Sequence, residues 1–179
     1  MRRLLALAGA LVVTGCGGTE TVTTTREVTE TETATVTVTV AEPVAVGLPE
    51  PVVETHAALL EAARSGDYEA LRSLIPDEFS YTFGGPVEGG PIAYWQQLEK
   101  ESGERPIETL ARILAMPYTL YAGTYIWPFA YDKQPDELTG YERRLLGDLA
   151  DDFAPGSGYL GWRAGIEPDG TWRFFIAGD

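Results

Sequence analysis

The pentapeptide Glu167-Pro168-Asp169-Gly170-Thr171 lies between two apolar runs and constrains the fold more than any other stretch of this chain. It reads as a hairpin with a three-residue loop: a type I turn followed by Gly170 in the left-handed conformation, which glycine adopts without steric cost. That loop length sets a register pairing Ile166 with Trp172, Ala164 with Phe174 and Trp162 with Ile176. All six are apolar and share one face, whereas a one-residue slip mixes the faces. The other face carries Gly161, Arg163, Gly165, Arg173 and Phe175, with Arg163 opposite Phe175 as a cation–π pair. Residues 158–177 are therefore expected to form the spine of the core.

Upstream, apolar spacing and breakers mark helices. Val52, Leu59, Leu60 and Ala63 make one stripe of a helix over 52–64, stopped by Ser65-Gly66. Asp67 caps a second helix with Leu71, Leu74 and Ile75 inward, ended by Pro76. Phe79, Tyr81 and Phe83 alternate with Ser80 and Thr82, which predicts a half-buried strand over 78–83. Pro91 opens a helix with Ile92, Trp95 and Leu98 inward, and Pro106 opens another with Ile107, Leu110, Ile113 and Leu114 inward. Residues 118–131 are rich in aromatics, and Gly123 and Pro128 divide them into two short strands or one bent edge strand. Thr139-Gly140-Tyr141-Glu142 is a capping box, with Tyr141, Leu145 and Leu149 as a helix face to about Asp152. The sum is an α+β domain over 55–179, helices packed on a curved antiparallel sheet that ends in the hairpin.

The opposite end has another logic. Arg2 and Arg3 precede an uncharged apolar run, Leu4 to Val13, the layout of a secretory signal over residues 1–15. As a helix this run rises about 15 Å, half of a ~30 Å hydrocarbon layer, too short for a permanent span. Val13-Thr14-Gly15-Cys16 resembles the lipobox of bacterial lipoproteins, in which the cysteine receives a diacylglycerol thioether and becomes the new N-terminus. That resemblance implies lipidation at Cys16, the only cysteine, and a place on the extracytoplasmic face of the cell membrane. At about 0.8 kcal/mol per buried CH₂, one acyl chain binds reversibly and two hold firmly.

Between anchor and domain, residues 17–54 hold seven acids, one base and no aromatic, and eleven of the 21 residues from Thr19 to Thr39 are Thr. So little apolar surface does not offset the entropy of ordering, and the segment reads as a disordered tether. Fully extended it reaches about 125 Å; as a flexible coil it spans ~35 Å. The rival reading is an edge strand over 33–40, where Thr and Ala or Val alternate with period two.

Charge narrows the partners. The chain carries −14 at pH 7, and −16 without Arg2 and Arg3. No basic stripe is available for phosphate backbones, which argues against nucleic acid. Anionic headgroups are repelled too, so membrane contact is expected through lipid alone.

Reactive groups are few. His56 is the only histidine, has no adjacent nucleophile, and reads as a solvent-facing helix residue. A metal site of two or more His or Cys is excluded by count. No phosphate-binding or dinucleotide-binding glycine pattern and no G-x-S-x-G occur, so neither a cofactor nor a catalytic residue is assigned. Asp148, Asp151 and Asp152 read as a solvated helix end. The rings are more suggestive: Tyr94, Trp95, Tyr121, Tyr125, Trp127 and Phe175, with Arg163, form a candidate pocket for a sugar ring or small amphiphile, or they fill the core.

Gly66-Asp67-Tyr68-Glu69-Ala70-Leu71, followed by Tyr81-Thr82-Phe83-Gly84, resembles the opening of NTF2-like (SnoaL-like) cone domains. That resemblance implies a curved sheet around a concavity, although the helices near 107–114 and 140–151 depart from its plan. Tyr125-Ile126-Trp127-Pro128 and the stretches 161–166 and 172–179 are similar to the ends of uncharacterised exported bacterial proteins, which bring no activity. The function expected is non-catalytic binding of a small molecule or an envelope protein. The alternatives are a cone-fold hydrolase or isomerase using a carboxylate and tyrosines, and a structural module.

Overall fold

The computed structural model describes residues 21–28, 32–39 and 47–178. They belong to two units, one holding strands β1 (Thr21–Val28) and β2 (Glu32–Thr39), the other holding residues 47–178. β1 and β2 pair antiparallel, from Thr21 opposite Thr39 to Val28 opposite Glu32. β2 overlaps the edge strand of the rival reading over 33–40, with β1 as its partner. Thr and Val are β-branched and stiff at χ1, which favours extended backbone even where apolar content is low. The signal over residues 1–15 and Cys16 lie outside the described residues.

The second unit begins before residue 55. Helix α1 spans Glu50–Ser65, with Pro51 in its first turn and Gly66 at φ 71° closing it. Helix α2 (Tyr68–Arg72) is capped as expected: Asp67 accepts from the N–H groups of Glu69 at 2.9 Å and Ala70 at 3.0 Å. Helices α3 (Gly90–Glu101) and α4 (Pro106–Leu114) follow, burying Ile92 and Trp95, and Ile107, Leu110, Ile113 and Leu114. α1 packs on α4, and both contact the sheet.

Strands β3 (Thr119–Tyr121) and β4 (Thr124–Trp127) are joined by Ala122 and Gly123, at φ 50° and 88°. Positive φ at both central residues is what a type I′ hairpin turn demands. Two 3₁₀ turns (Phe129–Asp132 and Pro135–Glu137) lead to helix α5 (Gly140–Leu146) and a third 3₁₀ segment, Gly147–Asp152. Strands β5 (Phe153–Ala154) and β6 (Gly158–Tyr159) make a small pair, and β7 (Arg163–Ile166) and β8 (Trp172–Ile176) the C-terminal hairpin. The main sheet runs β3-β4-β7-β8, antiparallel throughout. The class is α+β, but the sheet is open and uncurled, in place of the curved sheet and cone implied by the NTF2-like resemblance.

The hairpin loop is the expected one: Gly170 has φ 88° and donates to Glu167 O at 2.9 Å, and Thr171 N–H donates to Asp169 Oδ1 at 2.9 Å. The register holds at Ile166–Trp172 and then shifts. Gly165 lies opposite Phe174, Ala164 opposite Phe175 and Arg163 opposite Ile176, so Arg173 is the extra residue of a bulge. The reason is packing. The bulge turns both Trp172 and Phe175 inward, at 1 % and 0 % exposure, where an unbroken strand would have turned Trp172 and Phe174 inward. Phe175 then meets Trp162 and Trp95, with ring centroids 4.6 and 5.3 Å away.

The strand expected over 78–83 is reduced to one parallel bridge. Ser80 N–H donates to Arg173 O at 3.1 Å and accepts at its carbonyl from Phe175 N–H at 3.0 Å. Thr82 Oγ1 then accepts from Gly84 N–H at 3.0 Å, a local turn that ends further pairing. Phe79 packs on the core and Tyr81 is buried, while Phe83 is exposed.

Candidate functional site

The seven candidate pocket residues are dispersed. Trp95, Trp127 and Phe175 are sealed in the core. Tyr94 lies beside Tyr81 at 5.7 Å, Tyr125 beside Tyr118 at 5.5 Å, and Tyr121 is exposed on the edge strand against Tyr131 at 5.4 Å. Arg163 is buried, donating to Gly161 O at 3.2 Å and Gly178 O at 2.9 Å. Its guanidinium lies over Phe83 and Tyr131, at 5.4 and 5.8 Å from the ring centroids. The cation–π pair expected with Phe175 is thus corrected. The bulge sets Ile176 opposite Arg163, and Phe175 faces the core on the other side.

His56 is not solvent-facing. It is buried, its ring stacks on Trp127 at 4.8 Å, and its Nε2–H donates to Leu114 O at 2.8 Å. Leu114 is the last residue of α4, where carbonyls lack intrahelical partners. Burial holds the imidazole pKa below its ordinary value, outweighing the hydrogen bond that raises it, so His56 is a neutral structural donor.

A cleft of about 430 Å³ opens elsewhere, between the start of β3, the first 3₁₀ turn and the start of α5. Its lining joins Pro117, Tyr118 and Phe129 to Tyr141 and Leu145, with Asp132, Lys133, Thr139 and Glu142 among its polar groups. Local bonds fix its shape. Phe129 N–H donates to Pro117 O at 2.8 Å, holding the 3₁₀ turn against the strand entry. The capping box sets the other wall: Glu142 N–H donates to Thr139 Oγ1 at 3.2 Å, and Glu142 Oε2 accepts from Thr139 N–H and Oγ1–H at 2.8 Å each. Lys133 Nζ completes it, 2.9 Å from Glu142 Oε1. These bonds hold the Glu142 carboxyl at a pKa of about 2, so it stays ionised and does not exchange protons near neutral pH.

The sequence placed Thr139 and Glu142 as a cap and Tyr141 as part of a buried face. Tyr141 in fact stands 66 % exposed, leaving Leu145, Leu146 and Leu149 to pack inward. Phe129, Asp132 and Lys133 carried no local signal, because the cleft joins segments separated by turns.

A second polar cluster lies at the end of α5. Arg112 donates to Leu146 O at 2.6 Å and pairs with Asp148. Partial burial and the nearby Asp148 and Asp151 push the Asp152 carboxyl up, and burial pushes the Tyr159 hydroxyl up. Yet Asp152 remains exposed, and Tyr159 OH donates to Trp162 O at 3.2 Å.

Among the described residues, no group of three or more His, Cys, Asp or Glu is arranged to hold a metal, and no helix is long and apolar enough to cross a membrane. No protein-family model, curated protein or solved structure matches the chain.

Proposed function

We propose that this chain is an envelope lipoprotein, held by lipid on Cys16 at the extracytoplasmic face of the cell membrane. Its globular unit binds a small molecule in the Tyr118–Phe129–Tyr141 cleft without transforming it. The observation that carries the binding reading is the pinning of Glu142 by Thr139 and Lys133, which ties up one of the two carboxylates that line the cleft. A general acid or base needs a pKa near the working pH, and this carboxylate is locked by Thr139 and Lys133 at about 2. The remaining surface of the cleft is mostly apolar ring and Leu145, which suits recognition by burial. The net charge of −14 argues against nucleic acid as a partner.

Saturation-transfer NMR with a small-molecule library, on the full chain and on Leu145→Trp, tests this reading. The bulky indole fills the cleft from a half-buried position. Hits lost in a variant that still melts cooperatively support the cleft. Hits that persist unchanged, or that are converted to products, overturn it. A second reading, docking of an envelope protein, rests on the exposed side chains of Leu120 and Tyr121 on edge strand β3. Crosslinking from Leu120→Cys in the native envelope tests that alternative.

A further inference from the structure

Resting on the cleft reading above, we infer that the cleft takes an organic ammonium cation of the methylated, partly apolar kind. Three rings contribute to its lining, Tyr118, Phe129 and Tyr141, and the Tyr141 ring stands two-thirds exposed to water. Aromatic faces are electron-rich, and they attract a weakly hydrated cation more than a neutral group of the same shape.

Charge selects in the same direction. The one cation in the lining, Lys133, is held 2.9 Å from Glu142, and both side chains are largely shielded. That pair cancels itself and offers no free positive charge to an anionic ligand. Asp132 remains: an exposed carboxylate in the lining that makes no ion pair or hydrogen bond among the described residues. The lining therefore sums to −1 within a chain of −14, a field that concentrates cations and repels anions. A neutral sugar would satisfy the rings and leave the Asp132 charge unused. A small inorganic cation would leave the rings unused. An alkylated ammonium engages both.

The test compares choline with its neutral carbon isostere, 3,3-dimethylbutan-1-ol, and with methyl glucoside. The full chain is titrated with each, and tyrosine ring resonances are followed by NMR. Choline is expected to bind about fivefold to tenfold more tightly than the isostere, the ratio that a cation–π contribution of this kind gives. Asp132→Asn should remove a further part of that preference, and raising salt should weaken choline binding alone. Since Asp132 is exposed, the variant is expected to stay folded, and the salt series reads the same effect without any variant. Equal or tighter binding of the isostere or the glucoside, lost in Leu145→Trp, would overturn the cation class and leave the cleft reading standing. If choline moves no cleft tyrosine the inference is refuted, and if the library screen is also insensitive to Leu145→Trp the cleft reading falls with it.

Discussion

Replacing Gly165 with alanine tests the bulged hairpin directly. Gly165 lies opposite Phe174, and a Cβ on it would stand 2.3 Å from the ring Cε1 and 2.4 Å from Cζ. No methyl group fits there unless the ring leaves. Phe174 is half-buried, so displacing its ring forfeits about 1–1.5 kcal/mol, half of what full burial of a Phe contributes. Alanine returns roughly 0.5–1 kcal/mol, because glycine loses more backbone freedom in a strand. A ring that cannot fully clear the site adds its own crowding to the loss, up to the ~1–3 kcal/mol typical of an overfilled site. The net expectation for Gly165→Ala is a destabilisation of about 1–3 kcal/mol. With Phe174→Ala already in place, the same substitution should be neutral or stabilise by up to ~1 kcal/mol. Urea melts of the four proteins, followed by tryptophan fluorescence at constant m-value, give the coupling energy. In an unbulged register Gly165 would lie opposite Arg173, whose side chain points to solvent, and the two substitutions would simply add. Additivity within ~0.5 kcal/mol would refute the bulge.

Two further predictions concern His56 and the β3–β4 turn. Burial lowers the folded pKa of His56 below 6.5, so the unfolded chain binds more protons just below that pH, and stability falls as pH drops from 6.5. The slope is bounded at about 1.4 kcal/mol per pH unit, and His56→Gln, which keeps a donor for Leu114 O, should flatten it in chemical melts between pH 5 and 7.5. A slope surviving in the variant would assign the effect elsewhere. Ala122 holds φ 50° in an exposed turn, a conformation that costs an L-residue with a Cβ, so Ala122→Asn should stabilise by about 1 kcal/mol. Thermal melting reads it directly, and a lowered Tm would mean that the turn is not of the primed type.

Much of the fold was legible because its punctuation is local. Gly170 in the hairpin loop, Asp67 and Thr139 as caps, and Pro106 at a helix start each act on their own few residues. What the pattern did not show was settled by contacts distant in sequence. The bulge at Arg173 answers to Trp95 and Trp162, which reach Phe175 from other parts of the chain. His56 is buried because the carbonyl ending α4, 58 residues on, needs a donor. Between a ring-lined pocket and rings that fill the core the sequence left the choice open for a related reason: ring count does not say which rings find neighbours. Trp95 and Trp127 did, and Tyr141 did not.

The tip of the C-terminal hairpin is bolted to the entrance of the globular unit. Thr55 Oγ1 donates to Gly170 O at 2.7 Å, and Gly170 approaches Pro51 so closely that a side chain on it would stand 2.8 Å from the Pro51 carbonyl. Pro51 and Thr55 both lie in the first turns of α1, so the start of that helix and the far end of the hairpin are fastened at two points one turn apart. Fraying of α1 from its N-terminal end must therefore release the hairpin loop as well, which couples the first helix of the unit to its last two strands.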